Sequence, residues 1–143
     1  MRSIGLGLAA TGLAALLANC TSVPAPSVTA DQLAGSSWHV AGLNAGGVQT
    51  RSMTITFEEG GQATGNAACN DFRTAYRLEG GRLRFGNTVF LSGNPVCDQD
   101  TRETQTRFLA TLHEINRASI APSGSLVLYT STTNMRITAR PIP

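Results

Sequence analysis

Residues 75–85 read AYRLEGGRLRF, and the reading of this stretch decides the fold. Tyr76 and Leu78 fall on one side of an extended chain, and Leu83 and Phe85 return on that same side. Between them Gly80-Gly81 supplies two residues able to take positive φ, so the pattern predicts a tight antiparallel hairpin. The device recurs upstream. SMTITFEEGG (52–61) alternates Met53, Ile55 and Phe57 with Thr54, Thr56 and Glu58 before a second Gly-Gly turn. SLVLYT (125–130) and NMRITA (134–139) predict two more strands joined through STTN. SSWHV (36–40) opens the series, with Trp38 and Val40 on one face. Strands at such regular spacing predict an antiparallel meander that curls into a barrel or rolled sheet.

One segment has a different period. DTRETQTRFLATLHEIN (100–116) spaces Phe108, Leu109, Leu112 and Ile115 as an apolar helical stripe. Asp100 with Glu103 reads as a capping box, and Pro122 follows the end. The expected class is therefore α+β: a mostly antiparallel β meander rolled into a small barrel-like sheet, with one amphipathic helix packed against it. The longest irregular stretch is 86–98. Its Gly93, Asn94 and Pro95 are the expected contact loop, because loops carry function on such scaffolds.

Outside the domain, the first residues read as a leader. Arg2 gives a short positive region, and residues 4–18 are apolar. As a helix that run would reach only about 22 Å, short of the ~30 Å hydrocarbon core. A cleaved signal is expected rather than a membrane span. Leu17-Ala18-Asn19-Cys20 resembles a bacterial lipobox, which implies cleavage before Cys20 and a lipid on its thiol, although Asn19 departs from the usual small residue. Thr21, where an Asp would signal inner-membrane retention, implies the outer membrane facing the periplasm. The alternative is ordinary secretory cleavage near Ala30, giving a soluble periplasmic or secreted protein. The expected organisation is a signal peptide over 1–19, a lipidated cysteine and flexible tether over 20–32, stiffened by Pro24 and Pro26, and one domain over 33–143.

Composition narrows the function classes. Arginine supplies every basic side chain, lysine is absent, and the formal net charge is +2. The arginines are scattered rather than striped, so a nucleic-acid partner is not expected. Cys69 and Cys97 remain once Cys20 is assigned to lipid. In an exported chain this pair can form a disulfide worth about 3–4 kcal/mol in the chain-entropy account. A zinc site and a Cys69–His113 nucleophile pair are the alternatives, though neither has a supporting local motif. Glu58-Glu59 reads as a solvated strand end, and Asp98 with Asp100 suits a helix start. G-x-S-x-G, P-loop and G-x-G-x-x-G patterns are all missing. No enzyme, cofactor or metal is expected.

The residues also resemble a known family. LAGSSW (Leu33, Gly35, Trp38) followed by ITF and then GNAACNDFRTAY (Gly65, Cys69, Asn70, Phe72, Tyr76) is similar to the META domain, the HslJ-like family of small envelope proteins. The likeness spans most of 33–140. It departs at Ala68 and Thr74, where glycine is usual, at GNPVC before the second cysteine, and in the spacing of Glu103 from Phe108. The resemblance implies a lipoprotein or secreted protein without known enzymatic activity, in some members linked to heat shock or drug tolerance. Beside it, Gly65 reads as a bulge or a close backbone approach, and Asn70 as a turn built by its own side chain. The function expected is a non-enzymatic, lipid-anchored accessory or stress-tolerance role through an envelope protein or cell-wall partner. A periplasmic carrier, or an inhibitor of an attacking enzyme such as lysozyme, is the alternative.

Overall fold

The structure is a computed structural model that describes residues 27–44, 46–47, 52–93, 95–132 and 135–143. A four-residue helix, α1 (Ala30–Leu33), leads into β1 (Ser36–Leu43) and a two-residue β2 (Gly46–Gly47). Then follow β3 (Thr54–Phe57), β4 (Gln62–Asn66), β5 (Asp71–Glu79) and β6 (Arg82–Ser92). The long helix α2 (Gln99–Glu114) precedes β7 (Ile115–Ile120), β8 (Leu126–Thr130) and β9 (Arg136–Pro141). The strands form one antiparallel sheet in the order β6-β5-β4-β3-β1-β9-β8-β7, with β2 beside β1. Its two ends meet. The N–H of Ala118 in β7 donates to the Gly81 carbonyl at 3.1 Å, so the sheet rolls into a nearly closed barrel. Register shifts at Val40/Gly42, Thr74/Tyr76 and Ile115/Arg117 add the local twist that such curling requires.

The hairpin that decides the fold forms as its sequence predicts. Glu79 pairs with Arg82 across Gly80 (φ 55) and Gly81 (φ 79), both in the left-handed region. Leu83 and Phe85 enter the core, and Tyr76 and Leu78 pack against it. Met53, Ile55 and Phe57 are fully buried, as period two demands. From α2, Phe108 and Leu112 plug the interior, and Phe108 meets Phe72 edge-on at 5.6 Å. Burying each such side chain contributes about 1.5–3 kcal/mol. Thr111 is buried beside them, its hydroxyl satisfied by the Arg107 carbonyl at 2.8 Å.

Four expectations are corrected. Asp98, not Asp100, caps α2, accepting from the Thr101 N–H at 2.8 Å. Ile115 is not the last residue of the helical stripe; the helix stops at Glu114, and Ile115 starts β7, so Pro122 lies in the β7–β8 turn. The stretch 86–98 is not irregular throughout, since β6 runs on to Ser92, where Asp71 pairs with it. On the domain side, residues 27–32 of the expected tether touch the barrel, although only Val28 among them is buried. Ser27 bridges to Ser119, Val28 is buried in the core, and Gln32 caps back to the Thr29 N–H. Val28 has apolar surface enough to bury, and a single valine among small residues carries no periodicity to announce it. Residues 1–26, with the expected signal peptide and the lipidated Cys20, lie outside the described residues, as does Asn94 of the contact loop.

Candidate functional site

The stretch 65–72 lies where β3, β4, β5 and α2 converge. Gly65 of β4 stands so close to β3 that an added methyl would overlap the Thr54 carbonyl and crowd the Phe72 ring. Only a residue without a side chain permits that approach. Thr54 then accepts from the Asn66 N–H through its hydroxyl at 3.1 Å. Asn66, rather than Asn70, builds the side-chain turn: its Oδ1 accepts from the Ala68 N–H at 3.0 Å. Inside that turn Ala68 takes φ 90, a conformation that favours the glycine usual at this place in the resemblance.

Asn70 does a different job from the one expected. Its backbone N–H donates to Gln105 Oε1 at 2.7 Å, and Gln105 Nε2 donates back to Asn70 Oδ1 at 3.0 Å. Asn70 Nδ2 lies 3.3 Å from the carbonyls of both Ser92 and Gly93. One asparagine therefore joins the signature turn to α2 and to the end of β6. Gln105 is the partner that sequence reasoning missed. The available signal was its position three residues before Phe108, on the inward side of the helix.

Cys69 and Cys97 form a disulfide, Cα atoms 6.0 Å apart, tying the same turn to the start of α2. With both sulfurs spent in that bond, neither the zinc alternative nor a Cys69–His113 nucleophile pair stands, and His113 is exposed on α2. Among the described residues no three potential metal-ligating side chains cluster.

The leading motif is a second hydrogen-bonded unit. Leu33 is fully buried, and Gly35 (φ 76) turns the chain, its N–H donating to the Phe57 carbonyl at 2.6 Å. The Trp38 indole N–H donates to Ser36 Oγ at 2.7 Å, and that hydroxyl donates on to the Leu33 carbonyl. This relay satisfies the one polar atom of a buried indole. Tyr76 packs edge-on against Phe57 at 5.1 Å and donates its hydroxyl to the Glu58 carbonyl at 3.1 Å. Burial first, and the Glu58 charge second, push its phenol above the usual tyrosine range.

The motif residues thus hold the fold. What faces solvent lies beyond them, at the end of β6 and in the loop after it. Phe90 is 60% exposed, Leu91 47% and Val96 fully exposed, all within seven residues of sequence. The Arg73 guanidinium lies over the Phe90 ring at 5.7 Å. Open hollows of about 560 and 550 Å³ are both lined in part by Arg73 and Phe90. Gly93 (φ 85) turns the loop below them, and Pro95 is exposed. The apolar side chains themselves were not singled out from the sequence, because β6 was expected to end before them.

Comparison with known proteins agrees with this architecture. A protein from Burkholderia xenovorans, solved by NMR, superposes with a TM-score of 0.65 at 19% identity, covering 97% of this chain and 99% of that one. The crystal structure of a DUF4847 family protein from Bacteroides vulgatus gives 0.55 at 14% identity, covering 77% and 94%. At such identities the likeness is one of fold. No curated protein sequence matches. The META domain model matches residues 31–141, the span that holds the Leu33–Trp38 relay, the Gly65–Asn70 turn and the disulfide; the chain belongs to the META domain family.

Proposed function

We propose that this META domain protein is a non-enzymatic, lipid-anchored accessory protein of the cell envelope, held at the outer membrane through Cys20, that acts in stress tolerance by binding an envelope protein or cell-wall partner. The observation that carries the reading is the exposure of Phe90, Leu91 and Val96 at the end of β6 and in the loop after it, while the other large apolar side chains among the described residues are buried or half-buried. Exposed apolar groups beside a polar rim are the usual mark of a binding surface. A ligand carried within the barrel is disfavoured, since Trp38, Phe57, Phe85 and Phe108 fill the interior.

The test is photocrosslinking in cells, with a photoreactive residue at Val96 or Phe90 and, as control, at Glu59 in the β3–β4 turn. A discrete adduct from 96 and 90 but not from 59, strengthened by heat stress, is expected. Its absence under both conditions overturns the binding reading, and a lysozyme adduct moves it to the inhibitor alternative. Cys20→Ala is expected to release the protein from the membrane fraction, and its retention there overturns the anchor.

A further inference from the structure

The seam where the barrel closes is basic. Between β6 and β7 lies a pocket of about 640 Å³ whose lining includes Ser27, Gly80, Arg82, Arg84, Arg117 and Tyr129, and no carboxylate. Arg82 and Arg84 stand on the outer face of β6, because Leu83 and Phe85 point inward. Arg117 is held over the Tyr129 ring at 4.5 Å, which pre-positions a guanidinium at the pocket wall. A fourth arginine, Arg77, pairs directly across from Arg84 in the hairpin. Like charges directly opposite one another repel, so this register is destabilised without a counter-charge. Glu79, opposite Arg82, is the single carboxylate among the described residues that line the adjoining hollow shared by Arg77, Arg82 and Arg84. The excess positive field is left for something outside the chain.

The position of the pocket says what that is. Ser27 both lines it and packs against Gly81, where a side chain would collide with the Ser27 Cβ. Cys20 precedes Ser27 by seven residues. Whatever conformation those residues take, they reach at most about 25 Å. A chain acylated at Cys20 therefore holds this pocket close to the bilayer surface. From this, and resting on the anchor reading above, we infer that the seam pocket binds the phosphate of an anionic glycerophospholipid headgroup and orients the domain against its own membrane. Guanidinium groups suit that ligand, since they donate in a planar, paired fashion to phosphate oxygens. Gly80 leaves the rim open, as no atom lies within 4 Å of where its side chain would be.

The test uses the protein as the cell processes it, purified in neutral detergent, with the arginine Nε–Hε resonances followed by NMR. Mixed micelles containing phosphatidylglycerol are expected to shift Arg82, Arg84 and Arg117 saturably, and phosphatidylcholine micelles are not. Each of Arg82→Gln, Arg84→Gln and Arg117→Gln is expected to weaken the apparent affinity about fivefold, and the triple variant about a hundredfold. These positions are exposed, so an unchanged amide spectrum verifies that the triple variant is folded. Arg140→Gln, on β9 opposite His39 of β1, is expected to leave the affinity unchanged. Equal shifts with phosphatidylcholine, saturation by inorganic phosphate with no gain from lipid, or full affinity in the triple variant each overturn the inference. Intact mass separates the two readings. An acylated Cys20 with silent arginines sinks the pocket alone. An unmodified Cys20 removes the anchor and with it the membrane orientation.

Discussion

Asn70 and Gln105 hold each other in both directions, across 35 positions of sequence, with the Asn70 N–H on Gln105 Oε1 and Gln105 Nε2 on Asn70 Oδ1. A strand-turn residue and a helix residue are thereby fixed without either contributing to the apolar core. Gln105→Ala leaves a part-buried backbone N–H without its acceptor, and is expected to cost about 2 kcal/mol in urea unfolding. Gln105→Glu keeps the acceptor and loses the donor, so about half of that cost is expected. A double-mutant cycle with Asn70→Ala is expected to show strong coupling, and additive losses would mean the pair is not a unit.

Gly65→Ala places a methyl into the Thr54 carbonyl, so β3 and β4 must separate. The expected loss is about 3 kcal/mol, at the upper end for overpacking. Gly80→Ala, with open space around it, provides the comparison: it meets no neighbour and bears only the penalty of positive φ. Equal losses from the two substitutions would refute the steric account.

Ala68 runs the other way. Its φ of 90 is unfavourable for any residue with a Cβ, and the resemblance to the family points to glycine there. Ala68→Gly is expected to stabilise the domain by about 0.5–1 kcal/mol, the left-handed penalty relieved less the added chain entropy of glycine. Thermal unfolding should rise by about 2–6 °C. A fall in melting temperature would show that the turn is not strained at this residue.

The disulfide closes a loop across a separation of 28 residues. The chain-entropy model then gives it about 3–4 kcal/mol. Cys69→Ser with Cys97→Ser is expected to lower the urea midpoint accordingly. Adding reductant to that variant should change nothing further.

Two titrations act in opposite pH ranges. The Asp98 carboxyl is held below its usual range, first by the Thr101 N–H it caps. A depressed carboxyl stabilises the fold above the unfolded value, and that stabilisation is lost as pH falls through the folded one. The difference in melting temperature between the wild type and Asp98→Ala should therefore shrink on acidification. Tyr76 is raised, so the folded state keeps its phenolic proton longer than the unfolded chain does. Stability should then fall as pH climbs past the ordinary tyrosine value, and Tyr76→Phe should remove that alkaline component while costing about 1 kcal/mol for its hydrogen bond.

Local pattern was enough for much of the fold. Met53, Ile55 and Phe57, the Gly80-Gly81 hairpin and the Phe108–Leu112 stripe are legible because period and turn chemistry act between near neighbours in the chain. β7 was not, since INRASI buries only Ile115 and Ala118 well and carries a register shift, so its alternation is broken. The helix start was misread by two residues because Asp98 and Asp100 both suit a cap, and only the structure shows Asp98 in extended conformation accepting from the Thr101 N–H.

What the sequence by itself determined is the class of the protein: an α+β barrel of short strands with one helix, two cysteines available to pair, and a family signature read in order. What only the tertiary structure decided is which side chains meet across distance. The Asn70–Gln105 clasp and the Gly65 approach to Thr54 depend on how the turn after β4 meets α2 and β3, and the packing of Val28 and the convergence of Arg82, Arg84 and Arg117 lie at the barrel seam. Closure brings β6 against β7, strands separated by a whole helix, and periodicity in a linear chain carries no term for such an encounter.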